Sequence, residues 1–204
     1  MAMAESLCDV FFGRNFSSLY QQYPKISLKI LTAGTVELLR LVNQNEADLI
    51  LTLDSHIYNT EYVIVCEEQV GVHFVTGAGY PVESSGKISI YELLRHPFIL
   101  TEKGMSYRRM LDEKLAELSL EIKPVLEIGN TSLITSLLAQ NLGISFLPDY
   151  VTEQGVAEGR LRYLEADGFE IEVWKQLLYH RNKWISPQME AVMQHCVERA
   201  FLPG

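Results

Sequence analysis

The sequence predicts an α/β fold built from parallel βαβ units in open sheets. The order of its elements is the first reason. Leu7, Val10, Phe11, Phe16, Leu19 and Tyr20 recur at helical spacing, with Ser6 placed to cap and Pro24 as a stop. Ile26-Ser27-Leu28-Lys29-Ile30 then alternates apolar and polar, as a strand with one buried face does. Gly34-Thr35 opens a second helix carried by Val36, Leu38, Leu39, Leu41 and Val42. The second reason is Asp48-Leu49-Ile50-Leu51-Thr52-Leu53, a nearly continuous apolar run of the kind that lies buried on both faces of a parallel sheet. The third is that helix and strand patterns alternate again through the middle of the chain, which predicts a second α/β unit.

That middle part begins with high apolar and β-branched content from Tyr62 to Val75, broken by Gly77-Ala78-Gly79-Tyr80-Pro81. Glu83-Ser84-Ser85-Gly86-Lys87 is a loop on composition. Ile90 to Arg95 is a short helix that must end before Pro97, and Phe98-Ile99-Leu100-Thr101 is a short strand. Tyr107 to Leu118 is an amphipathic helix and Pro124 to Ile128 a strand. Asn130-Thr131-Ser132 opens a helix carried by Leu133, Ile134, Leu137 and Leu138, which Gly143 ends. Ile144-Ser145-Phe146-Leu147-Pro148 is a short buried strand. In the tail, Val173 to His180 alternates as a strand. Ser186-Pro187 is a helix start, with Ser at the cap and Pro at the first helical position. Met189, Val192, Met193, Cys196, Val197 and Phe201 supply that helix's apolar face.

Composition narrows the function classes. Hydrophobic residues make up 48% and charged residues 21% of the 204, the profile of a folded globular chain. Net charge is −9, which opposes non-specific binding to phosphate backbones. The basic pairs, Arg108-Arg109 and Arg181 with Lys183, read as solvated surface. No apolar run is long enough to span a bilayer, and Met1-Ala2-Met3-Ala4-Glu5 has no basic leader, so a cytoplasmic location is expected. The three cysteines, Cys8, Cys66 and Cys196, show no paired spacing and read as reduced thiols, Cys8 and Cys196 within apolar helical patterns.

Catalysis has no support in the pattern. The five histidines are scattered without metal-pair spacing, and no GxSxG turn occurs. Gly86-Lys87 lacks the rest of a phosphate loop, and Gly77-x-Gly79 lacks the third glycine of a dinucleotide fingerprint. His195 and Cys196 are helix neighbours that point in different directions. The expectation is a protein that is not an enzyme, with no cofactor and no metal.

Ordered landmarks give the chain a family likeness: Ala4-Glu5-Ser6-Leu7, Tyr23-Pro24, Gly34-Thr35-Val36-Glu37-Leu38 and Glu46-Ala47-Asp48-Leu49-Ile50, then His96-Pro97-Phe98-Ile99, Gly104-Met105-Ser106-Tyr107-Arg108, Gly143-Ile144-Ser145-Phe146-Leu147-Pro148 and Gly159-Arg160-Leu161. In order and spacing these resemble the C-terminal effector-binding domain of LysR-type transcriptional regulators over nearly the whole chain. The resemblance implies two Rossmann-like α/β subdomains of the periplasmic-binding-protein type 2 kind, joined by two crossover strands with an effector cleft between them. Residues 1–68 and 173–204 would form subdomain I and residues 69–172 subdomain II. The winged helix-turn-helix that family members carry at their N-terminus is absent from this chain, and the first strand is a stub around Met1 to Ala4.

In open α/β folds ligands collect where parallel strands end and helices begin, because helix starts present unpaired N–H groups and partial positive charge. Ser6, Thr35 and Asn130-Thr131 sit at such junctions, and the resemblance places them, with Leu7, on the walls of the cleft. Thr101 and Pro148 would line the second wall, with Thr52 and Ser106 as further candidates. Helix capping accounts for Ser, Thr and Asn at these positions equally well, and strand packing accounts for Thr52. The expected partners are a small anionic effector and a second copy of the chain, as a dimer or, in the full-length regulator, a tetramer. DNA would be reached only through the missing domain, and no membrane is involved. Ile26, Leu28 and Ile30 suit either the dimer edge or the core. The competing readings are a stand-alone solute-binding protein of a transport system, sharing the fold, and an α/β interaction module with no ligand site.

Overall fold

A computed structural model describes residues 1–12, 16–82 and 86–201, the side chains of Asp9, Val10, Arg199 and Ala200 excepted. The chain forms two compact units, Met1–Gln69 with Val173–Gly204, and Val70–Glu172. The polypeptide therefore leaves the first unit and returns to it once.

In the first unit, β1 (Ala2–Met3) runs into a 3-10 turn (Glu5–Leu7) and the short helices α1 (Cys8–Phe12) and α2 (Phe16–Gln22). These are followed by β2 (Leu31–Thr32), α3 (Thr35–Asn43), β3 (Ile50–Asp54) and β4 (Tyr62–Val70). The helix read from Leu7 to Tyr20 is helical over Cys8–Phe12 and Phe16–Gln22, and its residues 13–15 lie outside the described residues. The strand expected at Ile26–Ile30 falls later and is shorter. Leu31 N–H donates to the Met1 carbonyl and Ala33 N–H to that of Met3, so pairing with β1 reaches only Leu31–Thr32.

α3 forms because Leu38, Leu41 and Val42 fall on one face at i, i+3 and i+4, and they bury against Ala2, Ile50 and Leu178. The helix stops where Asn45 takes a left-handed φ of 58°. All five residues of β3 are buried, as its apolar run predicts.

The second unit holds β5 (Val72–Gly77), α4 (Ile90–Leu93), β6 (Ile99–Leu100), α5 (Ser106–Glu117) and β7 (Leu126–Glu127). It continues through α6 (Thr131–Ala139), β8 (Ile144–Pro148), α7 (Asp149–Ala157) and β9 (Leu161–Leu164). Neither α7 nor β9 is marked in the sequence pattern, since the apolar residues of α7, Tyr150, Val151, Val156 and Ala157, are spread around the helix and only Thr152 and Gly155 are fully buried. Part of the predicted loop, residues 83–85, lies outside the described residues. β10 (Val173–His180) and α8 (Pro187–Cys196) then complete the first unit, with a π-helical turn over Val197–Phe201. Ser186 caps α8 by accepting from Met189 N–H at 3.2 Å, with Pro187 at the first turn, as the Ser-Pro pair predicts.

The first sheet has the order β2-β1-β3-β10-β4, with β1 parallel to both β2 and β3, and β10 antiparallel to β3. The second unit pairs β5 antiparallel with β8 and β9, so its sheet is mixed rather than wholly parallel. β6 and β7 are parallel, and a bridge from Phe98 to Ile144 aligns β6 with β8. Phe74 forms the aromatic centre of this unit, with ring centroids 4.9 Å from Phe146 and 5.4 Å from Phe169.

Cys196 is fully buried on α8, and burial pushes its thiol from the ordinary 9.0 up to about 12. The unfolded chain releases this proton first, so stability tied to it is complete below pH 9 and is lost as pH climbs from about 9 toward 12. We expect Cys196→Ala to flatten part of the alkaline fall in unfolding free energy, read by urea titration at two pH values on either side of 9. An unchanged slope would contradict this burial.

Candidate functional site

Most of the predicted residues fall just after the carboxyl ends of strands in each unit, Thr52 and Ser106 excepted. In the first unit, Ser6 and Leu7 follow β1 in the 3-10 turn and Thr35 is the first residue of α3 after β2. Capping does not explain Thr35. The N-cap of the 3-10 turn is Ala4 and that of α3 is Gly34, and neither end has a side-chain cap. Thr35 Oγ1 is buried without a hydrogen-bond partner. Leu7 is 1% exposed and belongs to the core. Thr52 lies inside β3, where its hydroxyl donates to the Gln176 carbonyl at 3.3 Å, tying β3 to β10.

In the second unit, Thr101 follows β6, Asn130 and Thr131 follow β7, and Pro148 ends β8. The alignment of these three strands brings their carboxyl ends to one edge. Asn130 does cap: its side-chain oxygen accepts from Leu133 N–H at 2.8 Å. Thr131, in the first turn of α6, is buried, and Ser106 begins α5 after the N-cap Met105. Thr101 is buried and its Oγ1 has no partner. A buried hydroxyl left unpaired costs about 1–3 kcal/mol, so two of them at strand ends, neither serving as a cap, need a reason.

Sequence reasoning misplaced Arg108. Read as surface, its side chain is 1% exposed, whereas its neighbour Arg109 is half-buried and pairs with Glu113. Arg108 Nη1 donates to the Thr101 carbonyl at 2.6 Å and to Glu127 Oε2 at 2.9 Å, while Nε donates to Asp112 at 3.0 Å. The guanidinium thereby ties α5 to the carboxyl ends of both β6 and β7 and sets where Thr101 sits. The signal was the landmark Gly104-Met105-Ser106-Tyr107-Arg108: on a helix beginning at Ser106, Arg108 lies one turn from Asp112 and on the same face as the buried Leu111 and Leu115. Its positive charge meets two carboxylates through Nε and Nη1, while Nη2 is buried with no hydrogen-bond partner among the described residues.

Glu102, next to Thr101, comes within 3.6 Å of where a Cβ on Gly129 would stand, and among the described residues no hydrogen bond or ion pair engages its carboxylate. Among the described residues no group of three or more His, Cys, Asp or Glu is placed to hold a metal, and no helix is long and apolar enough to cross a membrane.

Such an arrangement defines a ligand-binding α/β domain of the periplasmic-binding-protein type 2 kind. The chain belongs to the LysR substrate binding domain family, which matches residues 1–201. It is 25% identical over 185 residues to the HTH-type transcriptional activator CmpR of Synechocystis sp., covering 86% of this chain and 58% of that protein. It is 24% identical over 152 residues to the probable nitrogen assimilation transcriptional activator of Synechococcus elongatus, covering 72% and 48%. The chain thus spans about half the length of these relatives. Among solved structures, the regulatory domain of Synechocystis PCC6803 CcmR in complex with 2-PG superposes with a TM-score of 0.76 at 20% identity, covering 100% of this chain and 97% of that one. The effector binding domain of QuiR in complex with shikimate gives 0.70 at 14% identity, covering 97% and 93%. These kinships favour a regulatory effector-binding role over transport.

Proposed function

We propose that this domain senses a small anionic metabolite and so controls DNA binding by a further domain of a LysR-type regulator, in the cytoplasm and as a homodimer. The observation that carries the effector reading is the pair of buried, partnerless hydroxyls, Thr35 and Thr101, at the carboxyl ends of β2 and β6. A ligand supplying hydrogen-bond partners there would relieve a cost that the empty domain bears. The starts of α3 and α6 add unpaired backbone N–H groups and partial positive charge. No Lys or Arg stands among the nine candidate residues, and the nearest cation, Arg108 on the Thr101 carbonyl, is already partly neutralised by Asp112 and Glu127. This suits a single carboxylate better than a doubly charged phosphate. Control follows from differential affinity: the effector shifts the conformational equilibrium only by the difference in its binding to the two states.

Glu102 supports a narrower reading, an effector that carries an ammonium group beside its carboxylate. A thermal-shift panel of carboxylates, amino acids and phosphates tests both. Binding to the folded state alone adds about 2.7 kcal/mol at a hundredfold excess over Kd. The expected result is a saturable rise in Tm with one class of carboxylate, lost in Thr131→Ala. If amino acids are that class, Glu102→Gln should weaken them selectively. A response confined to phosphates would overturn the single-carboxylate reading.

A further inference from the structure

We propose that His56 is a proton-sensitive latch on the segment joining β3 to β4, closed when the imidazole is neutral and released when it is protonated. His56 and its partners all lie in the first unit, so the latch holds whether or not the effector reading does. The His56 side chain is 10% exposed. Its ring stacks on Tyr58 with centroids 3.8 Å apart and meets Trp174 edge-on at 4.7 Å. Nε2 lies 2.8 Å from Glu67 Oε2. Nδ1 is buried and has no hydrogen-bond partner among the described residues.

These contacts fix the tautomer. A carboxylate only accepts, so the proton of the neutral ring sits on Nε2 and Nδ1 keeps a bare lone pair. Gln176, fully buried on β10, donates from Nε2 to the same Glu67 oxygen at 3.0 Å and accepts the Ile57 N–H on Oε1 at 2.8 Å. The 3.3 Å approach of Gln176 Nε2 to His56 Nε2 therefore brings two donors together rather than making a hydrogen bond. One carboxylate oxygen holds both the ring and the amide that pins the next residue's backbone. Ile57 packs against the cluster of Leu38, Leu41 and Ile50, so the latch ties residues 55–61 to the core.

Protonation puts an N–H at Nδ1, where the closed niche offers no acceptor and only water outside it does. The attractions that would hold an imidazolium in place travel outward with it. Glu67 is 39% exposed and can follow the ring, and Tyr58, 84% exposed, belongs to the same segment. Gln176 is buried and cannot follow, so the move parts His56 from Trp174 and loosens the bond to Ile57. Among the described residues, Glu67 is the charged group that β4 turns to the ring, and β10 presents the uncharged Gln176 and Trp174. Asp54, at the end of β3, accepts the Ser55 N–H on Oδ1 at 2.7 Å.

Trp174 reports the latch directly. The chain has two tryptophans, and Trp184→Phe, at a ring 77% exposed, leaves Trp174 as the single indole emitter. Its fluorescence is followed from about pH 8 to about pH 5, the interval in which imidazoles change charge. The expected result is a one-proton transition that disappears in His56→Gln. Through the same transition in the wild-type chain, the protection of the Ile57 N–H against amide exchange should fall about five- to thirtyfold, while the amides of β3 hold theirs. This second measurement needs no substitution, so it decides the matter even if His56→Gln does not fold. The latch is overturned if Trp174 shows no transition, if the transition persists in His56→Gln, or if Ile57 protection stays constant through it.

Discussion

Replacing Arg108 with alanine is expected to lower the unfolding free energy by about 2–4 kcal/mol. The substitution removes three contacts at once and leaves the Thr101 carbonyl, Glu127 and Asp112 facing an apolar gap. Breaking a fully buried pair costs about 3–5 kcal/mol. Here Asp112 and Glu127 are 35% and 39% exposed and recover water when the arginine is gone, which moves the figure downward. The measurement is a urea titration, in which the midpoint should fall with the slope unchanged. Arg108→Lys should recover little, because a lysine ammonium cannot reproduce the fork that reaches β6, β7 and α5 together. A midpoint within experimental error of wild type would show that the guanidinium is not the clamp described.

Gly77→Ala should be as damaging, at about 3 kcal/mol or more. A Cβ at Gly77 would fall inside van der Waals contact of the Leu138 carbonyl oxygen and of the Asn141 side chain. The first of these is backbone at the end of α6 and cannot rotate away. Its displacement would disturb the packing of α6 on β5, the strand that pairs with both β8 and β9. The expected result is a lower Tm and urea midpoint. Gly86→Ala makes the contrast, since a Cβ there meets no atom within 4 Å and only its φ of 156° is at issue. A domain that tolerates Gly77→Ala would mean that α6 can shift freely on the sheet.

These two residues also show what the sequence makes legible. Gly77 and Gly79 stand out as a break after an apolar run, yet the atom that requires Gly77 is a carbonyl sixty-one residues away along the chain. Arg108 was read from its pairing with Arg109, a local pattern, whereas its burial depends on strand ends brought to it by the fold. Elements with strong local signals were read closely: β3 from its apolar run, β10 from alternation, α8 from Ser186-Pro187. Elements without one were not. α7 does not gather its apolar residues on one face, and β9 is only four residues long. Strand 26–30 was mislocated because alternation marks a face that is half-buried, and Ile26, Leu28 and Ile30 reach that state without pairing as a strand. The candidate site was legible as residue types at strand–helix junctions. That Gly34 and Met105 hold the cap positions beside Thr35 and Ser106 required the backbone itself.

If the unpaired hydroxyls of Thr35 and Thr101 serve a ligand, as proposed, Thr35→Val and Thr101→Val separate that role from the fold when each is assayed for Tm without ligand and for affinity toward the carboxylate that stabilises the wild-type domain. Removing an unsatisfied buried hydroxyl should leave the empty domain as stable or raise its stability by about 1 kcal/mol. The same change should weaken effector binding by about five- to fiftyfold. The expected result is opposite signs in stability and affinity in both variants. Loss of stability with affinity intact would show that these hydroxyls serve the fold, and the effector would then have to be held elsewhere.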